Sequence, residues 1–247
     1  MNHLGDVKDC SVFELRQYLL HEGQRDTLIR IFDSNLVESQ EAVGMHIFGQ
    51  FRDLDRPDVF VWFRGFRDMQ TRHEALTAFY GGPAWTANRD AANATMIDSD
   101  DVLLLRRAND RSGFPQPRST RLPLGATVKP SSLITATIYD VRPSRVDEFA
   151  QFFEGEVLPV MSETGASAIA YFRTETSENT FAKLPVRTDI NAFVSFSYFE
   201  ALMDYDTHLK RLALHDNWNG RILPELADRL NSVQQLRLSP TDRSELR

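Results

Sequence analysis

In the stretch SVFELRQYLL, Phe13, Leu15 and Leu19 alternate with Glu14, Arg16 and Tyr18, the two-residue period of a β-strand. The pattern then changes. Leu28, Ile31, Phe32 and Leu36 recur at i, i+3, i+4 and i+8, one face of an amphipathic helix over about residues 23–40. Two further strands, MHIFGQFR and DVFVWFRGF, flank a tight turn containing Asp55-Arg56-Pro57. Two short helices follow and lead into a last strand, DDVLLLRR. The order βαββαβ is the ferredoxin-like plan, an antiparallel sheet with helices on one face.

The same pattern returns in the second half. Residues 60–105 laid on 193–238 without a gap give ten identities, among them Phe60/Phe193, Phe63/Phe196, Phe66/Phe199, Trp85/Trp218 and Leu105/Leu238; ordinary composition gives about three by chance. Residues 11–52 laid on 132–173 match Tyr18 to Tyr139, Phe32 to Phe153 and Gly44 to Gly165. There the helical stripe falls on Phe149, Phe152, Phe153 and Val157. The offset between the two registers is absorbed in one place, where the connection around DLDRPD becomes the longer TETSENTFAKLPVRTDI. An insertion confined to a loop is what a duplicated fold should show. The predicted organisation is a first repeat over 1–107, a Pro-, Gly- and Arg-rich linker over 108–131, and a divergent second repeat over 132–247.

Gly81-Gly82-Pro83 raises a different chemistry, since a glycine-rich turn at a helix start can hold a phosphate. The phosphate-binding motifs need a strand before the glycines, whereas residues 69–80 read as a helix. The second repeat keeps Trp218 and has no such glycines. The better reading is a turn between two helices, with Pro83 in the first turn of the second.

Composition narrows the classes. Of 247 residues, 42% are hydrophobic and 26% charged, as in globular proteins. The net charge of −7 and the lack of a long basic run speak against nucleic acid as a partner. A single cysteine, Cys10, leaves no disulfide framework or multi-cysteine metal site. No apolar run has the length of a membrane span, and MNHLGDVKDC lacks the apolar core of a signal peptide. The expectation is a cytoplasmic protein with no membrane partner.

Two sheets covered by helices on one side can face each other and close a barrel within one chain. Strand parity then groups Glu14, Arg16, Tyr18, His46, Phe48, Gln50, Phe60, Trp62 and Arg64 on one face. In the second repeat the matching set includes Thr135, Thr137, Tyr139, Tyr171, Ser195 and Ser197, with Gln235 and Arg237 from the last strand. The expectation is that this polar-bearing face lines the barrel interior, and that the apolar set Phe13, Leu15, Ile47, Val61, Phe63, Leu103 and Leu105 faces the helices.

VFELRQY, FVWFRGFRDMQTRHEALTAFYGGPAW and DSDDVLLLRRA together resemble the NIPSNAP family, whose pattern is a Glu-Leu-Arg-x-Tyr strand, a Trp in the third strand and a Pro-x-Trp helix. The resemblance covers residues 12–107 and implies the dimeric α+β barrel superfamily, which holds cofactor-independent oxygenases, isomerases, dehydratases, haem enzymes and non-catalytic binding proteins. The second repeat departs from the pattern, with Thr135 and Thr137 for the Glu and Arg and Ser195 for the Trp. One asymmetric site is therefore expected rather than two equivalent ones.

The candidates have two readings each. Arg16 and Arg64 could hold an anion, Tyr18 or His46 could move a proton, and Glu14 would orient Arg16; the same residues could be a structural ion network. Trp62, Phe60 and Phe48 could form a wall for a ring or simply fill a core. Gln50, Tyr139, Tyr171 and Arg237 complete the expected lining. Haem-binding branches of the superfamily need an axial His, for which His208 and His215 are the positions to watch, but neither has a partner at ligand spacing. No nucleophile-elbow or zinc-protease motif occurs, and neither metal nor cofactor is predicted. The expected function is to bind, and transform by acid–base chemistry, a small anionic or aromatic molecule. The alternative is a non-catalytic binding or scaffold protein, and edge pairing between chains would give a homodimer.

Overall fold

Eight antiparallel strands close into a barrel in the order β1-β3-β2-β8-β5-β7-β6-β4 in a computed structural model that describes residues 10–115, 121–126 and 130–247. The first half contributes β1 (Val12–Leu20), α1 (Arg25–Ile31), a π-helical turn (Phe32–Leu36), α2 (Val37–Glu41), β2 (His46–Asp53), β3 (Val59–Phe66), α3 (Met69–Tyr80), α4 (Pro83–Asn93) and β4 (Met96–Arg107). The second contributes β5 (Leu133–Val141), α5 (Val146–Phe152), a π-helical turn (Phe153–Val157), α6 (Leu158–Thr164), β6 (Ser167–Thr174), β7 (Ala192–Phe199), α7 (Leu202–Ala213), a third π-helical turn (Trp218–Ile222), α8 (Leu223–Arg229) and β8 (Leu230–Pro240). The reading of the N-terminus as free of a signal peptide concerns residues 1–9, which lie outside the described residues, as do 116–120 and 127–129 of the expected linker.

Local chemistry sets these elements. The Asp68 side chain caps α3 by accepting from the Thr71 backbone N–H at 2.6 Å. Only Gly81 and Gly82 separate the end of α3 from Pro83, which opens α4, so Gly81-Gly82-Pro83 is a turn between helices. Gly165 closes α6 with φ of 112°, a left-handed conformation that favours glycine, and Gly44 adopts 97° at the corresponding place.

Within each half the sheet is extensively paired: β1 meets β3 from Val12↔Phe66 to Leu19↔Val59, and β5 meets β7 over the equivalent stretch. The seams between halves are short. β2 meets β8 at Phe51↔Pro240, Arg52↔Ser239 and Asp53↔Leu238, and β4 meets β6 at Leu105↔Thr174, Arg106↔Arg173 and Arg107↔Phe172. The barrel thus closes within one chain.

The expected facing of the strands is reversed. The barrel interior holds the apolar set: Phe13, Leu15, Val61, Phe63, Leu103 and Leu105 pack there against Ile134, Ala136, Phe172, Val194, Phe196 and Leu236. Phe114 joins them from the segment after β4, so that Phe13, Phe48, Phe63, Phe114, Phe172 and Phe196 form one ring cluster with neighbouring centroids 4.7 to 5.9 Å apart. Glu14, Arg16, Tyr18, Phe60, Trp62 and Arg64 lie instead between the first sheet and its own helices.

The reversal has a physical cause. Both faces of β1 and β3 are buried, so alternation says which residues share a face but not what that face meets. Inside a small closed barrel, backbone groups are spent on the ladder and a charge would lack partners. The helix layer supplies them through Gln40 and Arg72. Parity also breaks within β2, where a bulge between Ile47 and Gly49 sends Phe48 into the barrel while Ile47 and Gln50 face the helix side.

Candidate functional site

The residues of one strand face and one helix stripe meet at Glu14. Arg16 Nη1 donates to Glu14 Oε2 at 2.8 Å, Arg64 Nε donates to the same oxygen at 2.8 Å, and Arg72 Nε donates to Oε1 at 2.7 Å. All four side chains are buried to 1% exposure or less. Glu14 and Arg16 sit two residues apart on β1, and Arg64 lies opposite Glu14 on β3. Arg72 comes from the first turns of α3, on the stripe it shares with Ala75, Leu76 and Phe79.

Burial by itself would raise the Glu14 pKa, but the nearby charges of Arg64, Arg16 and Arg72 overcome it and hold the carboxyl well below the usual range. Burial also works against the Arg16 charge and is outweighed by Tyr18 and Glu14, which keep the guanidinium protonated. Three cations facing one anion leave a buried surplus of positive charge. Further contacts are polar but neutral: Arg16 Nε donates to Tyr18 Oη at 2.9 Å, Arg64 Nη1 to Gln40 Oε1 at 2.9 Å, and Arg72 Nη1 to Asn179 Oδ1 at 2.9 Å. Arg72 Nη2 and Trp62 Nε1 are buried and have no hydrogen-bond partner among the described residues.

Trp62 stacks below the cluster, with the Arg64 guanidinium 4.8 Å and that of Arg16 5.5 Å from its ring centroid. Beyond it Tyr18, Phe32, Phe79, Tyr80 and Trp85 line a small cavity of about 30 Å³, room for one or two waters. The longer β6–β7 connection of the second repeat covers this region. Asn179 holds Arg72, the Thr180 carbonyl meets His73 Nδ1 at 2.6 Å, Phe181 stacks on Tyr80 at 5.9 Å, and Arg187 pairs with Asp101 at 3.5 Å. The two repeats therefore build one layer together.

Among the expected site residues, Glu14, Arg16, Tyr18, Trp62 and Arg64 are brought together, under helices rather than in the barrel. The others are not. His46 Nε2 meets Glu245 at 2.6 Å and its ring lies on Phe48. Gln50 donates to Asp33 at 3.2 Å. Tyr139 lies in the second helix layer with Phe149 and Phe193. Tyr171 is partly exposed beside Asn109, and Arg237 pairs with Asp55 at the surface. Sequence reasoning missed Arg72, Gln40 and Asn179. Arg72 carried a signal, a cation on an otherwise apolar helical stripe; Asn179 carried none, because an inserted loop has no periodicity. His208 is buried, His215 meets Glu163 at 3.2 Å, and among the described residues no three of His, Cys, Asp and Glu converge as metal ligands. Among them too, no helix is long and apolar enough to cross a membrane.

No protein-family model and no curated protein matches the sequence. Solved structures do. A candidate monooxygenase from Lactobacillus acidophilus aligns over 94% of this chain and 94% of its own, with 14% identity and a TM-score of 0.57. An anthrone oxidase-like protein aligns over 96% and 94%, with 11% identity and a TM-score of 0.58. A NIPSNAP-like domain protein from Burkholderia xenovorans matches 45% of this chain and 87% of its own, at 24% identity and a TM-score of 0.38. The chain has the fold of the monooxygenase-like dimeric α+β barrels, with both half-barrels on one polypeptide.

Proposed function

We propose that the protein binds a small aromatic anion in the first helix layer and exchanges a proton with it. The observation that carries this reading is the buried surplus of positive charge around Glu14, with donors on Arg72 and Trp62 still unpartnered. A buried cation without a counter-charge is costly, and a carboxylate or enolate ligand would supply the charge. The ring of such a ligand would lie among Trp62, Phe79 and Tyr80, and Tyr18, hydrogen-bonded to Arg16, is placed to act as acid or base. The ligand enters when the insertion lifts, since the closed layer has no room for it.

Phenylpyruvate combines a ring, a carboxylate and an enolisable C–H, and suits the test. In D₂O the protein should accelerate loss of its benzylic proton signal, and Tyr18→Phe should slow that exchange about 100-fold with little change in melting temperature. A wild-type rate equal to the buffer rate overturns the reading. A second reading, a non-catalytic fold in which the cluster only braces sheet to helices, is favoured by the tight filling of the layer; it predicts the buffer rate in both proteins.

A further inference from the structure

Two arginines meet at the seam where the halves join through β4 and β6. Arg106 and Arg173 are direct partners in that register, one of three pairs that hold this side of the barrel closed. Alternation puts both on the outer face. Leu105 and Phe172 beside them point into the barrel core, whereas Leu104 belongs to the first helix layer and Tyr171 to the second. The pair therefore stands on the outside of the barrel, at the boundary between the two layers. Residues directly opposed on antiparallel strands have Cβ atoms about 5 Å apart, and like charges placed so destabilise the pairing.

Nothing among the described residues offsets this repulsion. Neither guanidinium makes a hydrogen bond or an ion pair there. Both Nε atoms are buried without a partner while the residues as a whole are half-buried, so the outer amino groups are the open part of each side chain. Arg64, Arg72 and Arg229 also hold a buried unpartnered nitrogen, but each is bonded through another to Glu14 or Glu225. The carboxylates at hand are engaged elsewhere. Glu175, two residues beyond Arg173, accepts from the Ser177 backbone N–H and hydroxyl at 2.9 and 2.8 Å, and Glu154 accepts from Asn109. The opposite seam is built differently, since there Arg52 pairs with Asp26 and Arg237 with Asp55.

We propose that Arg106 and Arg173 form an anion site for a phosphate dianion, free or as the monoester of a small molecule, held between the two guanidiniums. Two cations call for two negative charges, and a tetrahedral phosphate offers oxygens to both planar forks at once. A carboxylate would neutralise only half of the surplus. The bound anion would bridge β4 to β6 and so fasten the two repeats at a seam of three pairs. The site is separate from the Glu14 cluster, whose arginines already share a carboxylate, and it does not rest on the function proposed for that layer.

The test is a titration of the full chain with sodium phosphate at about pH 8, where phosphate is a dianion, at constant ionic strength and followed by backbone amide NMR. Amides of Leu105, Arg106, Phe172 and Arg173 should shift along one saturable isotherm, while those of Arg64 and Arg72 stay in place. Amide exchange at the seam should slow about tenfold at saturation. Arg106→Gln and Arg173→Gln should each weaken binding about tenfold or more, and in phosphate-free buffer neither should melt below the wild type, because each removes a like charge. Phenyl phosphate separates the two sources: equal affinity assigns the free ion, and tighter binding a monoester. No saturable shift of the seam amides overturns the proposal, as does unchanged phosphate affinity when both arginines are replaced. Shifts confined to the amides around Glu14 overturn it equally, by placing the anion in the first helix layer.

Discussion

Glu14 accepts from three guanidiniums on two oxygens and is fully buried, so its removal leaves cations with no counter-charge. Glu14→Ala should lower stability by about 3–5 kcal/mol, read from the urea midpoint at constant slope. The acid limb follows from the same contacts. A carboxyl whose folded pKa lies below its unfolded value of 4.5 adds stability above that pH, lost as the solution is acidified further; Glu14→Gln should flatten the stability curve below pH 4.5. Asp33 has the opposite sign. Burial pushes its carboxyl up to about 6 from 3.8, overcoming the Thr241 hydrogen bond and the Arg243 charge. The folded state then holds the proton more tightly, so stability falls as pH rises from about 4 to about 6. Asp33→Asn, which keeps an acceptor for Gln50, should remove that fall and gain roughly 2–3 kcal/mol at pH 8; an unchanged profile would remove Asp33 from the account.

The repeat is visible element by element. β1 and β5, β2 and β6, the π-helical turns Phe32–Leu36 and Phe153–Val157, and Gly44 and Gly165 all stand at one spacing. β3 and β7, and α3 and α7, stand at a second spacing, larger by the length of the insertion. Gly165 caps α6 and Gly44 sits in the turn after α2, both with positive φ, so replacement by Ala should cost about 1–2 kcal/mol at either position, measurable as a fall of several degrees in melting temperature. The insertion acts on the other repeat rather than its own. Asn179→Ala would leave Arg72 Nη1 buried without its acceptor and should cost about 1–3 kcal/mol. The same change should raise proteolytic cutting within residues 175–191.

At the scale of the molecule, three residue pairs at each seam join two sheets whose facing sides are almost entirely apolar. Packing of Phe13, Phe63, Phe172 and Phe196 across the barrel, with Phe114 between them, outweighs the ladder bonds in holding the halves together. A chain ending after β4 would expose one side of this core. Residues 10–107 expressed alone should therefore sediment as a dimer or larger species; a stable monomer would mean that the first sheet does not need its partner.

Residue periodicity, with the repeat, was enough to give the strands and helices, their order, the duplicated plan and the site of the insertion, because backbone period and turn chemistry are local. It also placed Glu14, Arg16, Tyr18, Trp62 and Arg64 on one face, because alternation along a strand is itself a local property. Tertiary structure decided what that face meets. On a sheet buried from both sides alternation does not say which face meets the helices, and only the availability of Gln40, Arg72 and Asn179 puts the charges under the helices and the phenylalanines in the barrel. His46, Tyr139, Tyr171 and Arg237 were grouped with the cluster by parity and separated from it by a bulge, by position on the other sheet, or by a surface ion pair, whereas Gln50 keeps the helix side opposite Trp62 and is turned to Asp33. The meeting of Arg106 and Arg173 had no signal in either repeat taken alone. One belongs to each repeat, and only closure of the barrel brings the two cations face to face, a contact between distant segments that no local period encodes.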